Sequence, residues 1–178
     1  MHYTLADLLT DIAENGAESG ATLVELDISE SFDPSGKGEF SFTVRDNGKG
    51  MTKLELQQAG DPFSCDGIKH PERKVGLGLP FLAQTAEVSG GAWKIESKGE
   101  GSGTTVSATF DMSNVDTPPI GDIGGMFRTV LLFADPKEVV INSTVNGGHF
   151  QVKKTELVDA LGNLEEVQSL ILLDKFLN

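Results

Sequence analysis

The sequence predicts an α+β fold: a mixed, mainly antiparallel sheet with helices on one face. Three observations support this. Two pairs of neighbouring segments alternate apolar and polar residues, each pair is joined by a Gly-containing turn, and the segments between the pairs lack that alternation and include stretches of helical spacing. The resulting order is helix, two strands, helix, loop, helix, two strands. It sets strands next to strands, unlike the regular βαβ alternation of a parallel sheet.

The elements follow in order. Leu5, Leu8, Leu9 and Ile12 recur at helical spacing, so residues 5–19 read as an amphipathic helix that Gly20 ends. From Ala21 to Ser29, Thr22, Val24, Leu26 and Ile28 point one way and Glu25 and Asp27 the other, the pattern of a half-buried strand. The turn 33–38, DPSGKG, leads to a second strand, Glu39 to Arg45, and the two strands form a hairpin. Thr52 and Glu55 have the spacing of a capping box and predict a short helix. Residues 60–75 carry Gly, Pro and charge without periodicity and read as a mobile loop. Leu77 to Val88 reads as a helix, with Pro80 tolerable in its first turn. Strands over Ala92–Lys98 and Thr104–Phe110 flank the turn Gly99–Gly103. Residues 111–125 read as a linker. The remaining residues, 126–178, read as a small α/β extension with strands at Arg128–Ala134, Val139–Val145 and His149–Lys153 and helices at Thr155–Leu161 and Leu164–Leu177.

Composition narrows the function. The chain of 178 residues is long enough for one domain with a true core, and its 38% hydrophobic and 23% charged residues are ordinary for a globular protein. No run approaches the roughly 20 apolar residues of a membrane span. The start MHYTLADLL lacks an export signal, and the lone Cys65 excludes an internal disulfide framework. These features lead to the expectation of a cytoplasmic protein. A net charge of −13 disfavours nucleic acid as a partner, because phosphate binding needs clustered cations. Lys69, His70, Arg73 and Lys74 form a local positive cluster against that background.

Several residues have the chemistry of a nucleotide site. Asp11 and Asn15 lie one helical turn apart and project from one face. An amide oxygen suits Mg²⁺, which takes few protein ligands and keeps water and phosphate. A carboxylate beside it can orient or deprotonate water. The string DNGKGM, residues 46–51, follows a strand directly. A carboxylate at such a strand end can accept the exocyclic amine of adenine and would repel the oxygen of guanine, while Gly48 and Gly50 allow close approach to the backbone. VGLGLPFL, residues 75–82, sets Gly76 and Gly78 ahead of a helix, where backbone N–H groups attract phosphate. It is neither a dinucleotide fingerprint nor a GxxxxGK[ST] loop. The hydroxyls of GSGTTV, residues 101–106, can bond a base, although Thr is common in strands for its own reasons.

Taken together, residues 5–110 resemble the GHKL ATPases, named for gyrase, Hsp90, histidine kinase and MutL. DIAENGAESGATLVELDI (11–28) resembles their N box, VRDNGKGM (44–51) a first glycine box, DPFS (61–64) with VGLGLPFL a histidine-kinase F box, lid and second glycine box, and GGAWKIESKGEGSGTTVSATF (90–110) the closing strands. The resemblance implies a two-layer Bergerat-type fold and ATP with Mg²⁺ as ligands. It assigns Asn15 to the metal and Asp11 to catalysis. Asp46 would hold the adenine amine, with Gly48, Gly50 and Met51 beside the ring and Thr105 bonding nearby. Residues 60–75 would form the lid, with Lys74, Gly76, Leu77 and Gly78 among the nucleotide contacts. Lys69, Arg73 and Lys74 are the candidates to neutralise phosphate.

The sequence departs from the family at Asp11, where the N box normally carries Glu. The carboxylate is one methylene shorter, which weakens the expectation of hydrolysis more than that of binding. Neither His2, His70 nor His149 lies in an acceptor-helix pattern, so self-phosphorylation on histidine is not expected. The expected function is a stand-alone ATPase or protein kinase that acts on a protein partner. An ATP-gated binding module with little turnover is the alternative, and a MutL-like DNA-processing fragment fits the charge less well. Residues 126–178 are expected to cap the sheet or to form a homodimer surface.

Overall fold

The computed structural model describes residues 3–59 and 78–177. Helix α1 (Leu5–Glu18) is started by Thr4, whose hydroxyl accepts from Asp7 N–H while the Asp7 carboxylate accepts from Thr4 N–H, a reciprocal cap. Its stripe of Leu5, Leu8, Leu9 and Ile12 is buried, as the spacing predicts. Strands β1 (Leu23–Phe32) and β2 (Gly38–Asp46) form the expected antiparallel hairpin, with Val24 opposite Asp46 and Phe32 opposite Gly38. Helix α2 (Lys53–Gln58) has the Thr52–Glu55 capping box. Helix α3 (Gly78–Val88) leads to β3 (Ala92–Glu96) and β4 (Thr104–Asp111).

The C-terminal part differs from expectation at one element. Residues expected as a strand at Arg128–Ala134 lie largely in a helix, α4 (Ile123–Leu131), which begins inside the expected linker. Asp122 caps it by accepting from Gly125 N–H at 2.8 Å. Met126, Phe127, Val130 and Leu131 are its buried residues, a helical i, i+1, i+4, i+5 set. The short apolar run at its end cannot by itself distinguish a strand from a buried helix face. Strands β5 (Glu138–Val145) and β6 (Gly148–Lys153) and helices α5 (Lys154–Leu161) and α6 (Val167–Leu177) follow.

The strands form one sheet in the order β3-β4-β2-β1-β5-β6. Every neighbouring pair is antiparallel except β1 and β5. The mixed, mainly antiparallel sheet and the α+β class are therefore as expected. Alternation sends Val24, Leu26, Ile28, Phe40, Phe42, Val44, Val106, Ala108, Phe110, Val139, Ile141 and Val152 to one buried face. The helices cover that face, and α1 packs on β1 and β2 with α3 and α4 as its neighbours. The opposite face is polar. There Arg45 pairs with Asp27, Asn142 donates to Asp27 at 2.8 Å, and Gln151 donates to Asn142 at 2.7 Å.

Residues from both ends of the chain share one core. Val139, Ile141, Val152, Leu157, Leu164 and Leu173 belong to the same apolar cluster as Leu8, Leu26 and Phe110. Truncating a fully buried Ile side chain removes about 2–5 kcal/mol, so Ile141→Ala should lower the unfolding free energy by that amount and move the urea midpoint down with it. Trp93 fluorescence reports from β3, at the other edge of the sheet. The expected result is one cooperative transition, shifted as a whole. A Trp93 transition that stays at the wild-type midpoint would mean that β5 and β6 unfold separately.

Candidate functional site

The predicted site residues converge at one end of the sheet, where α1 crosses the end of β2. Asp11 is exposed and Asn15 half-buried on the same side of α1. Gly78, the first described residue of α3, lies against both. A Cβ there would stand 3.5 Å from Asn15 Nδ2 and 3.6 Å from Asp11 Cβ. Gly16, next to Asn15, faces Asp46 at the end of β2, and a Cβ on Gly16 would stand 3.3 Å from Asp46 Cβ. Asp11, Asn15, Gly78 and Asp46 thus form a continuous group. Lys74, Gly76 and Leu77 lie outside the described residues, as do the expected lid and its Cys65, Lys69, His70 and Arg73.

Asp46 is held by short local bonds. It accepts from Gly48 N–H at 2.8 Å, and Ser19 Oγ stands 3.3 Å away with a proton that it shares with Gly16 O at 2.7 Å. A carboxylate has about four acceptor positions, so these contacts leave room for a ligand donor. Burial raises the Asp46 pKa above the usual carboxylate value, against the hydrogen bonds from Gly48, Ser19 and Thr104 that lower it.

The turn after Asp46 is locked on three sides. Asn47 accepts from Thr22 N–H and Leu23 N–H at 2.9 and 3.0 Å and donates to Thr22 Oγ1. Lys49 N–H donates to Ser19 O, Gly101 N–H to Lys49 O, and Gly103 N–H to Gly48 O. Met51, half-buried against the core, donates its N–H to Ser97 Oγ at 2.9 Å. The two glycines of this turn meet protein atoms. A Cβ on Gly48 would stand 1.7 Å from Ser19 Oγ. Gly50 has φ +69°, and a Cβ there would stand 2.2 Å from Gly99 O.

Thr105 is not brought to Asp46. It pairs with Arg45 and shares the polar face of the sheet, whereas Thr104 stands opposite Asp46, on the side where α1 packs. Strand register, which a single sequence does not supply, decides between the two. Sequence reasoning also passed over Ser19, Asn47 and Ser97, whose roles depend on distant partners. Gly16 did carry a signal, because a glycine inside a helix costs about 1 kcal/mol against Ala and calls for a packing reason.

Asn15 has the chemistry of a metal ligand. Among the described residues its amide has no hydrogen-bond partner. No cluster of three His, Cys, Asp or Glu is found among the described residues. A single accessible amide oxygen fits Mg²⁺, which binds through few protein groups when phosphate supplies the others.

Comparison with known proteins adds to this geometry. Residues 2–114 match the family described as histidine kinase-, DNA gyrase B- and HSP90-like ATPase. Histidine protein kinase DivJ of Caulobacter vibrioides is 37% identical over 71 residues, which is 39% of this chain and 12% of that protein. The chain therefore spans only about an eighth of that relative. The N-terminal domain of a DNA repair protein matches in structure with a TM-score of 0.53 at 12% identity, over 84% of this chain and 51% of that one. The Aquifex aeolicus MutL ATPase domain complexed with ADP matches with a TM-score of 0.44 at 15% identity, over 86% of this chain and 65% of that one.

The environment of Asp46 has a consequence for stability. Above its raised folded-state pKa, Asp46 is ionised and its burial costs stability. Below the usual carboxylate range it is protonated in both states and that cost is absent. Asp46→Asn, neutral at every pH, is expected to raise Tm at neutral pH and to change it little in acid. Thermal unfolding at the two pH values checks this. A lower Tm at neutral pH would mean that the charged hydrogen bonds outweigh desolvation.

Proposed function

The chain belongs to the family of histidine kinase-, DNA gyrase B- and HSP90-like ATPases, and from that premise we propose that it binds Mg-ATP where α1 meets the end of β2. The observation that carries this reading is the convergence of Asp11, Asn15 and Gly78 with the buried Asp46. Asp46 would accept the adenine amine, and Thr104 rather than Thr105 would lie beside it. Gly48, Gly50 and Met51 would border the base through a turn that is already rigid. Asn15 would hold the metal through its amide oxygen, and the ion, when bound, neutralises phosphate charge. Lys74, Gly76 and Leu77 would complete the phosphate contacts.

Asp11 would act as the general base, taking a proton from water or from the hydroxyl of a protein acceptor. The function is then ATP hydrolysis, or phosphoryl transfer to a partner protein, in the cytoplasm. The protein partner and any homodimer belong to this proposal. A second reading has a specific observation behind it. The Asp11 carboxylate is one methylene shorter than Glu, which favours an ATP-gated binding module that turns over slowly.

Calorimetry with ATP and Mg²⁺ tests binding. A hydrogen bond to a charged group is worth about 1.5–3 kcal/mol, so Asp46→Asn should weaken ATP by about 10- to 100-fold. Affinity should also fall on acidification, beginning above the pH range of an ordinary Asp, because protonation of Asp46 removes its charged acceptor. Phosphate release separates the two readings: turnover abolished by Asp11→Asn supports the enzyme, and tight binding with no turnover supports the module. Labelling of a second protein from radioactive ATP would identify the acceptor.

A further inference from the structure

Tyr3 touches the site at a point that the proposed function does not use. It precedes α1, and its hydroxyl donates a hydrogen bond to Asp11 Oδ2, two helical turns further on. The bond is local to α1, but the ring that carries the hydroxyl is held from elsewhere. It packs edge-on against Phe81 of α3, with ring centroids 4.6 Å apart. The backbone on its C-terminal side is fixed as well. Thr4 caps α1, Leu5 N–H donates to Pro119 O at 2.9 Å, and Ala6 N–H donates to Ile120 O at 2.8 Å.

Asp11 has no other hydrogen-bond partner among the described residues. One carboxylate oxygen is therefore fixed by a hydroxyl on an anchored ring, and the other remains for a ligand or water. A shorter carboxylate has fewer torsions to hold, and one fixed oxygen determines the plane of the group. We propose that Tyr3 is a positioning residue, which sets the orientation of the Asp11 carboxylate for proton transfer. The inference rests on the reading of Asp11 as the base.

The protonation state of Tyr3 agrees with this role. Burial raises its pKa well above the ordinary phenol value, and the bond to Asp11, the Asp11 charge and the Asp7 charge act in the same direction. Tyr3 therefore remains a donor throughout the physiological range.

Tyr3→Phe keeps the ring on Phe81 and removes only the hydroxyl. A misplaced catalytic group costs up to about 100-fold in rate, so kcat for phosphate release should fall about 10- to 100-fold, with KM for ATP little changed. On the residual turnover of Asp11→Asn, read with enzyme in excess over ATP, the same change should have no further effect. Because Tyr3 is the only tyrosine in the chain, an isotope label at tyrosine Cζ gives one resonance, which Asp11→Asn should move at neutral pH. The proposal is overturned if Tyr3→Phe retains wild-type kcat while Asp11→Asn abolishes turnover, if Tyr3→Phe slows the Asp11→Asn protein equally, or if the Cζ resonance ignores Asp11. If Asp11→Asn turns over at the wild-type rate, or the wild-type protein does not turn over, the assignment of the base itself fails and the proposal with it.

Discussion

The approach of α1 to the end of β2 is the constraint on which the site depends. Gly16 eases it: a Cβ there would stand 3.3 Å from Asp46 Cβ, close enough that one of the two would have to give by a few tenths of an ångström. That closeness puts Asn15 and Asp11 on the same side as the Asp46 carboxylate. The buried stripe of Leu5, Leu8, Leu9 and Ile12 holds the helix down on the sheet. Each of these side chains contributes about 1.5–3 kcal/mol of apolar burial, enough to offset a glycine in mid-helix. Ser19, just past the helix end, then bonds Asp46 and receives the Lys49 N–H through its carbonyl, so helix, strand end and turn are fixed together.

The sequence made the local parts of this arrangement legible. The α1 stripe, the alternation in β1 and β2 and the Thr52–Glu55 cap each depend on neighbours within a few residues, and each is present. Asp46 could be singled out because a carboxylate at a strand end followed by Asn-Gly is a local pattern. Thr105 against Thr104 could not be resolved, because the choice depends on which residue of β4 lies opposite Asp46. Gly48 and Gly50 were legible as points of close approach, but the approaching atoms, Ser19 Oγ and Gly99 O, come from other parts of the chain. The helix at Ile123–Leu131 was missed for a related reason. Its helical signal, the Asp122 cap with Met126, Phe127 and Val130, is masked by the continuous apolar run that ends it.

Asp46 also shows how the site works against the stability of the fold. Burial opposes its charge, yet the charge is what would recognise an amine. The fold tolerates this by giving the carboxylate the Gly48 N–H, held in a turn whose Gly48 carbonyl accepts from Gly103 N–H, with the Ser19 hydroxyl beside it. Asp11 is treated differently. It is exposed, its environment is open, and its orientation comes from one side chain, Tyr3, braced on α3. Asp46 is thus fixed mainly by the backbone of its own turn, and Asp11 by a side chain from outside its turn.

The same logic extends to the C-terminal residues. The parallel pairing of β5 with β1 makes β1 an interior strand, with β2 on its other side. It also brings α4 alongside α1, opposite α3. A cleft of about 340 Å³ remains between α1 and α4, lined in part by Asp7, Asp11, Asp122 and Arg128. Arg128 bonds Asp174 of α6 at 2.9 Å, so the wall of that cleft is tied to the last helix. Helix α1 is thereby held on both flanks, by α3 next to Gly78 and by α4 next to Asp11. Residues beyond 122 supply no predicted ligand to the nucleotide site, but they form one of the two walls that determine where α1, and with it Asp11 and Asn15, can stand.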